Sequence, residues 1–293
     1  MEVEKARGEE HDWKRWIGLA HVSADWITPS RVAAWHATLD HASAPPRDGD
    51  LAPLGFHWTL APQLARESEL GPDGHPARGT FLPPIPLPRR LWAGSRVSFD
   101  RALRVGDRVE RESVITAIEE KQGRSSALVF VTVQHRFTTD DGVAIREDQD
   151  LVYREPATSS GPATEVANDA SGSVGATWQR TIHPTETLLF RYSALTFNGH
   201  RIHYDRRYAT EVEGYPGLVV HGPLIATLLL DLIQTRVAAE RVERFQFRAM
   251  RPTFDTSDFS VFGGPGTGDG NYRLWSTDNS AARAVEAEAW TRR

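Results

Sequence analysis

The sequence predicts an α+β protein built from two similar halves, each a helix followed by an antiparallel meander of strands. In the first half, the segment ITPSRVAAWHATLD has a helical pattern, with Thr28 as its N-cap and Pro29 in its first turn. From Val97 onward the hydrophobic pattern changes to a period of two, which is typical of strands. The same succession recurs in the second half, where a very apolar helical segment at 222–239 is followed by strands. The architecture therefore repeats at about half the chain length.

The first half is predicted to contain two helical segments, one long loop and a meander. The helical pattern covers residues 13–40, and the apolar, aromatic segment 54–64 is a candidate for a buried helix. Residues 71–98 are rich in proline and glycine, which predicts a long ordered loop of the kind that often binds ligands. Residues 97–155 divide into at least four strands at turns near 106, 123 and 141.

The second half opens with a strand-like segment at 178–197 that contains a proline turn. The helix at 222–239 follows it. Four alternating segments come next, separated by glycine and asparagine turns, at 244–254, 258–266, 271–279 and 282–291. Between the halves, residues 156–177 have few large apolar side chains, which predicts an interdomain linker. We therefore expect a first domain at 1–155, a linker at 156–177 and a second domain at 178–293.

The composition argues against several classes of protein. A net charge of −5 gives no reason to expect nucleic acid or an anionic membrane as partner. The chain has no cysteine, which excludes disulfides, thiolate zinc sites and a cysteine nucleophile, and fits a reducing compartment. The N-terminus lacks the apolar core of a signal peptide, and the apolar run 218–233 is too interrupted to span a bilayer. We expect a cytoplasmic protein.

A polar cluster in the second half is the strongest sign of a functional site. Asn198, His200, His203 and Asp205 lie within eight residues of sequence. The turn His221-Gly222-Pro223 follows and opens the apolar helix. Because the first turn of a helix has free N–H groups and a positive dipole end, this arrangement suits chemistry on a carbonyl compound.

The same cluster permits a different hypothesis, a non-haem iron oxygenase. His203 and Asp205 form an H-x-D pair, the start of a site with two histidines and one carboxylate, and His221 or His183 could be the distal ligand. The spacing is short and common. Bound iron would distinguish this alternative from an enzyme that contains no metal.

The second half resembles the R-specific enoyl-CoA hydratase family of hot-dog folds, also called hydratase 2 or MaoC-like. His203-Tyr204-Asp205 matches the family's His-x-Asp, Tyr208-Ala209 matches its aromatic-Ala pair, and His221-Gly222 matches its helix start. Two positions depart from the family pattern. Asn198 stands where the family has its catalytic Asp, and His200 stands where the family has Asn.

The variant string YSALTFNGHRIHYD is similar to one subfamily: mitochondrial-type 3-hydroxyacyl-thioester dehydratases, and bacterial mesaconyl-C4-CoA and itaconyl-CoA hydratases. The first half agrees with this subfamily through PLPRRLWAGSRVSF, LRVGD, ALVFVTVQH and EDQDLVYR. The resemblance implies a double hot-dog, two curved antiparallel sheets each wrapped around a central helix. It implies that the first half lacks the catalytic motif and serves the binding groove. It also implies a CoA thioester substrate and no cofactor beyond that CoA.

The chemistry implied is reversible hydration of a 2-enoyl thioester, which assigns roles to the residues of the cluster. His203 is the candidate acid/base, because an imidazole exchanges protons near neutral pH. Asn198 cannot act as a base and is expected to orient the water. The Gly222 N–H is the candidate oxyanion donor. His200 could assist or hold the loop, while Asp205 could orient an imidazole or cap the next turn.

Substrate binding is expected from basic and aromatic groups, since the phosphates of CoA need cations and any second carboxylate of the acyl group suits a bidentate arginine. We expect no metal site. The candidate binding residues are His221, Arg89, Arg90, Trp92 and Arg201.

Two further alternatives share the expected fold. The chain could be an acyl-thioester binding protein without activity, because Asn198 replaces the catalytic Asp, or it could be a thioesterase. Loss of activity on replacing His203 would exclude the first, and release of free CoA would indicate the second. CoA or an acyl carrier protein could deliver the substrate, and we expect a homodimer or a higher homo-oligomer.

Overall fold

The computed structural model describes residues 13–122, 127–155, 173–237 and 241–292. The predicted α+β architecture is confirmed, because this part of the chain has three α-helices and ten strands, and the strands occur in blocks that form an antiparallel sheet. In chain order the elements are β1 (Ala20–Trp26), α1 (Pro29–Thr38), β2 (Arg89–Phe99), β3 (Arg108–Gln122), β4 (Ala127–Thr139), β5 (Gly142–Arg154), β6 (Trp178–Ile182), α2 (Glu186–Thr196), α3 (Gly222–Gln234), β7 (Arg241–Ala249), β8 (Phe259–Pro265), β9 (Asn271–Thr277) and β10 (Arg283–Arg292).

All ten strands belong to one antiparallel sheet, in the order β1-β3-β4-β5-β2-β7-β10-β9-β8-β6. The five strands of the first half are contiguous, as are the five of the second half, and β2 pairs with β7 where the halves meet. A bulge between Trp92 and Gly94 precedes this joint. A Cβ at Gly94 would lie 2.3 Å from the carbonyl oxygen of Phe247, so this close approach of two strands requires glycine.

Helix α3 is the centre of the protein. Its residues from Leu224 to Ile233 are all buried, which agrees with a segment that is hydrophobic on every side. Inside this apolar environment, Asp231 accepts hydrogen bonds from Arg180 (2.6 Å) and His41 (3.0 Å). Because His41 follows α1 and Arg180 lies in β6, these contacts tie the helix to both halves.

The first half covers its concave face with short pieces of chain. Helix α1 contributes the fully buried Trp35, and the 3₁₀ turn Phe56–Thr59 packs beside it through Phe56. Ile85 and Leu87, from the proline-rich segment, cover another part of the same face. This arrangement leaves a cavity against the N-terminus of α3.

Two predictions in the first half were wrong. The helical region expected at 13–40 contains β1, which pairs with β3 in full register from Ala20 to Trp26, so it is helical only in a 3₁₀ turn at Trp13–Trp16 and in α1. The buried helix expected at 54–64 is limited to the 3₁₀ turn at 56–59. In both segments tertiary pairing and packing, which a local pattern does not contain, outweighed helix propensity.

Two further boundaries were also wrong. The loop predicted for 71–98 ends at β2, because residues 89–99 contain no proline and pair on both sides, with β5 and β7. The strand expected at 178–197 is strand only as far as Ile182. Thr185 then caps α2 by accepting a hydrogen bond from the Leu188 N–H at 3.1 Å.

The predicted antiparallel strands are present in both halves, with turns between β4 and β5 and before β3 where the sequence indicated them. Among the described strands, only β3-β4-β5 and β8-β9-β10 form meanders, because β2 pairs with β5 and β7 pairs with β10. The turn expected near 123 and most of the predicted linker lie outside the described residues. The division into domains at 1–155 and 178–293 stays a prediction. Within the described chain, the helices are too short or too polar to cross a membrane.

Candidate active site

A cavity of about 610 Å³ lies where the two halves meet, against the N-terminus of α3. The predicted residues that line it are Asn198, His200, His203, Gly222, Arg90 and Trp92. The first half thus faces the polar cluster of the second half across one space.

The turn after α2 sets the position of Asn198. Phe197 caps the C-terminus of α2 with a left-handed backbone, φ of 52°, and the Asn198 N–H then donates to Ser193 O at 2.8 Å. The side-chain oxygen of Asn198 accepts from the His200 N–H at 3.0 Å. Because this bond fixes the amide oxygen, the amide NH₂ is the group left to donate to a water or a substrate oxygen.

His203 is held in one tautomer. Its Nδ1 lies 2.7 Å from the carbonyl oxygen of Val219, so Nδ1 carries the proton and Nε2 is a free base. Burial, with the neighbouring His200, lowers the pKa of His203 from 6.5 to about 3. The imidazole is therefore neutral near pH 7 and able to accept a proton.

His221 supports this ring from behind. The two imidazoles stack with centroids 3.6 Å apart and planes 17° apart. His221 is fully buried, and its Nε2 lies 2.8 Å from the hydroxyl of Ser193 on α2. It does not line the cavity, so its contact with a substrate would pass through His203.

A loop of the first half completes this histidine cluster. His75 packs on His200 with ring centroids 4.4 Å apart, and His200 meets His203 edge-on at 5.4 Å. The contact depends on two glycines, since a Cβ on Gly74 would lie 2.0 Å from Gly199 O. The sequence analysis did not single out His75. Its position in the Gly-Pro-rich loop predicted to bind ligands was the only sign of a role, because no sequence spacing links His75 to the polar cluster at 198–205.

Gly222 presents backbone to the cavity. It is the first residue of α3, Pro223 follows it without an N–H, and among the described residues none accepts from the Gly222 N–H. A Cβ on Gly222 would meet only the Trp92 carbonyl oxygen, at 3.9 Å. The position offers an unpaired donor and open space beside it, as expected for a thioester oxyanion site.

Asp205 and Arg201 face away from this chemistry. Arg201 donates to Asp205 at 2.7 Å, and the other carboxylate oxygen accepts from the Tyr208 N–H at 3.0 Å. Asp205 therefore caps the following turn and orients no imidazole. Neither residue lines the cavity.

The first half brings several other groups to the cavity. Trp92 donates its indole N–H to Gly94 O at 3.0 Å and packs edge-on against Trp58. Arg89 faces away from the main cavity and pairs with Glu213 at 3.2 Å. The sequence analysis missed further lining residues, which are Trp58, Arg111, Gln149, Arg154 and Arg251. They are distant in sequence from the catalytic motif, so spacing along the chain does not link them to it; all but Arg251 belong to the first half.

The geometry contradicts the iron-oxygenase hypothesis. Asp205 is bound to Arg201 and does not line the cavity, His221 does not line it either, and the exposed His183 pairs with Asp258. In the described chain a different trio, Asp73, His75 and His200, brings its possible ligand atoms within 4.8 Å of one another. The positive Arg90 beside the two imidazoles opposes a cation there, and it contributes, after burial, to the lowered pKa of His75 and of His200.

The sequence model of hydroxyacyl-thioester dehydratase type 2 matches residues 55–255, which include strands of both halves and the whole polar cluster. The chain belongs to this family. It is 46% identical over 259 residues to the mesaconyl-C(4)-CoA hydratase of Chloroflexus aurantiacus, covering 87% of this chain and 89% of that protein. It is 28% identical to the mitochondrial hydroxyacyl-thioester dehydratase type 2 of Schizosaccharomyces pombe, covering 68% and 73% of the two chains.

Solved structures agree with the fold. A MaoC-like dehydratase from Phytophthora capsici matches 94% of this chain and 96% of its own with a TM-score of 0.67 at 14% identity. A Mycobacterium tuberculosis protein with a double hot-dog fold matches the same shares with a TM-score of 0.57 at 12% identity. The predicted double hot-dog is confirmed. Membership of the hydroxyacyl-thioester dehydratase type 2 family also confirms a hydro-lyase, rather than a protein that only binds thioesters.

The buried histidines predict a loss of stability in mild acid. Burial lowers the pKa of His135, His200 and His203 to about 3, whereas the unfolded chain protonates them near 6.5. Below pH 6.5 the unfolded state binds more protons, so each such histidine lowers the free energy of unfolding by up to about 1.4 kcal/mol per pH unit. Urea unfolding at pH 8, 6.5, 5.8 and 5 measures this slope.

Between pH 6.5 and 5 the change in the free energy of unfolding reports on the histidines and not on the carboxyl groups. The carboxyl groups whose pKa is lowered in the folded state lose their contribution only as the pH falls below about 4.5. A matched variant, His183→Asn, removes an exposed histidine and is expected to keep the same slope. A free energy of unfolding that stays constant from pH 7 to 5 would contradict neutral buried imidazoles.

Proposed function

We propose that this protein hydrates the double bond of an acidic 2-enoyl-CoA, of the mesaconyl-C4 type, in a reversible reaction. The observation that carries the proposal is the neutral His203, with its Nδ1 bound to Val219 O and its Nε2 free beside the cavity. The 46% identity to a mesaconyl-C(4)-CoA hydratase over most of both chains supports the substrate class. In this proposal CoA belongs to the substrate, and no other cofactor takes part.

The proposed addition step uses one base. The Asn198 amide NH₂ holds the oxygen of a water, and Nε2 of His203 removes one proton from it as the oxygen bonds to C3. Electron density moves from the double bond to the thioester oxygen, where the Gly222 N–H and the dipole of α3 stabilise the negative charge. The imidazolium then returns a proton to C2. The dehydration direction reverses each transfer.

Asn198 and His200 support the step in different ways. Position 198 holds an amide, which cannot act as a base, so His203 alone changes protonation state in the proposed step. His200 is neutral and stands at right angles to His203, which excludes bulk water from one side of the base. For the CoA moiety, Arg154 and Arg251 line the cavity in addition to the groups that the sequence suggested. A cytoplasmic location and a homo-oligomer stay predictions.

A substrate screen tests the proposed function. Crotonyl-, longer 2-enoyl-, mesaconyl- and itaconyl-CoA, and one enoyl carrier-protein thioester, would be followed by loss of the enoyl absorbance and by mass analysis of the product. We expect addition of water to the mesaconyl-C4 thioester, with no release of free CoA. Release of free CoA without hydration would indicate a thioesterase and contradict the proposal.

Replacing His203 by Asn is expected to abolish hydration while leaving the site intact. An asparagine NH₂ can still donate to Val219 O, but the base is lost, so kcat should fall by about 10²–10⁴-fold. Binding of a saturated acyl-CoA, measured by calorimetry, should stay within about threefold of wild type. The matched variant His183→Asn, on the exposed surface, should keep full activity. A His203→Asn enzyme within tenfold of wild type would exclude His203 as the base.

Replacing Gly222 by Ala tests the oxyanion site. The added methyl meets no atom closer than 3.9 Å, so the free energy of unfolding should change by less than about 0.5 kcal/mol. The methyl lies where the thioester approaches the N–H, so kcat/KM should fall by about 10²-fold. Gly268→Ala is the control, since a Cβ there also meets nothing within 4 Å and lies outside the cavity. Equal activity of the two variants would remove Gly222 from the oxyanion site.

A further inference from the structure

We propose that Arg90 binds the second carboxylate of the acyl group and thereby selects acidic enoyl thioesters over neutral ones. This inference rests on the proposed function. It assigns the selecting role to one residue of the first half, which contributes no residue to the proposed proton transfer.

The register of β2 directs Arg90 to the inside of the sheet. Arg90 is paired with Tyr153 and Trp92 with Leu151, and Tyr153 is fully buried on the concave face. Arg90 lines the main cavity and also a neighbouring one of about 570 Å³, together with His200. Its guanidinium therefore stands in the wall beside the histidine cluster.

Arg90 has no ion-pair partner among the described residues, a property it shares in this cavity with Arg111 and Arg154, but of these three it alone also lines the neighbouring cavity beside His200. Arg89 pairs with Glu213 at 3.2 Å, and Arg201 pairs with Asp205 at 2.7 Å. Arg78, in the preceding loop, donates to the carbonyls of Ile85 and Leu87. A half-buried guanidinium that faces a cavity without an ion-pair partner favours an anion there.

The charges around Arg90 support this assignment. Its guanidinium acts on both His75 and His200, for which burial is the larger cause of a lowered pKa and the positive charge of Arg90 the next. Asp73 lies near the same two imidazoles, but no ion pair joins it to Arg90. A substrate carboxylate would pair with the positive charge of Arg90, which Asp73 does not pair with.

Arg111 is the rival within the same cavity, and its surroundings make it the weaker candidate. It lies over the ring of Phe137 and contacts the imidazole of His135 at 3.2 Å. The charge of buried Glu147 already acts on it. Arg111 thus belongs to a polar network of the first half, whereas Arg90 stands next to His200 and, through it, His203.

The chemistry of a mesaconyl-C4 thioester requires the cation to be close to the base. In this acyl group the carboxylate and a methyl group are both attached to C3, the carbon that receives the hydroxyl. A group that binds the carboxylate must therefore lie beside the water and Nε2 of His203. His200, whose ring is 5.4 Å from that of His203, links Arg90 to this place. A bidentate guanidinium would also fix which face of C3 meets the water.

A pair of isosteric ligands tests the inference without depending on turnover. Methylsuccinyl-CoA, with its carboxylate at C3, and isovaleryl-CoA, with a methyl in that place, are both saturated. Calorimetry should show wild type binding the acidic ligand at least about tenfold tighter, because a charged hydrogen-bonded pair is lost with the neutral one. Arg90→Met should abolish this preference, and Arg90→Lys should keep part of it.

Turnover gives the second readout. With mesaconyl-C4-CoA and 3-methylcrotonyl-CoA as the matched unsaturated pair, Arg90→Met should lower kcat/KM about 10²-fold for the acid and less than about threefold for the neutral substrate. Arg89→Met should leave the ratio unchanged, since Arg89 is paired with Glu213. An Arg111→Met variant that loses the preference while Arg90→Met keeps it would transfer the role to Arg111 and overturn the inference.

The remaining outcomes separate the inference from the proposed function. Wild type that hydrates both substrates equally and binds both saturated ligands equally would contradict the role of Arg90 but leave hydration intact. Wild type that hydrates neither substrate would contradict the proposed function, while a binding preference that depends on Arg90 would still support the inference. Equal losses of Arg90→Met with both ligands would show a structural role only.

Discussion

Burial of α3 is the constraint on which the rest of the structure depends. The helix is apolar on every side, so both halves must cover it, and ten consecutive residues from Leu224 to Ile233 are buried. Its N-terminus cannot be covered in the same way, because its free N–H groups need polar partners. The cavity forms at that end. Val219 and His221, just before the helix, are therefore fixed in place, and they hold His203 by a hydrogen bond and by stacking.

The two halves supply different kinds of chemistry to one cavity. The second half provides the base, the amide and the helix terminus that the proposed reaction needs. The first half, joined to it through β2 and β7 at Gly94, provides Arg90, Trp92 and the loop with His75. In the second half α3 lies within the curved sheet. In the first half shorter segments cover the sheet and leave room for a substrate. This difference between the halves accounts for a site that lies between them.

Much of the fold and of the site could be predicted from the sequence. The period-two segments gave the meanders, since alternation reflects a sheet with one buried face. The turn from Asn198 to His203 and the start at Gly222 were identified because their residues are close in sequence and form a recognisable motif. Two of the wrong predictions share one cause: Ala20–Trp26 and Arg89–Phe99 are strands because of partners distant in sequence, which a local pattern does not reveal.

The same limit applies to side chains. Asp205 was a plausible partner for an imidazole by sequence distance, yet Arg201 lies one helical turn before it and takes its carboxylate. His75 and Arg111 reach the cavity by loop packing and by strand register, neither of which spacing along the chain encodes. Among the arginines that the sequence proposed, only the structure separates Arg89, which is paired, from Arg90, which is not.

The central claim is that the base of the reaction is the neutral imidazole of His203, whose Nδ1–H donates to Val219 O and whose Nε2 is free. Nitrogen-15 NMR of the protein labelled at histidine measures this directly, with the His203 signals assigned by their loss in His203→Asn. The account predicts that His203 carries its proton on Nδ1 and stays neutral from pH 8 to 5, since burial lowers its pKa to about 3. A proton on Nε2, or titration of His203 near pH 6.5, would contradict it.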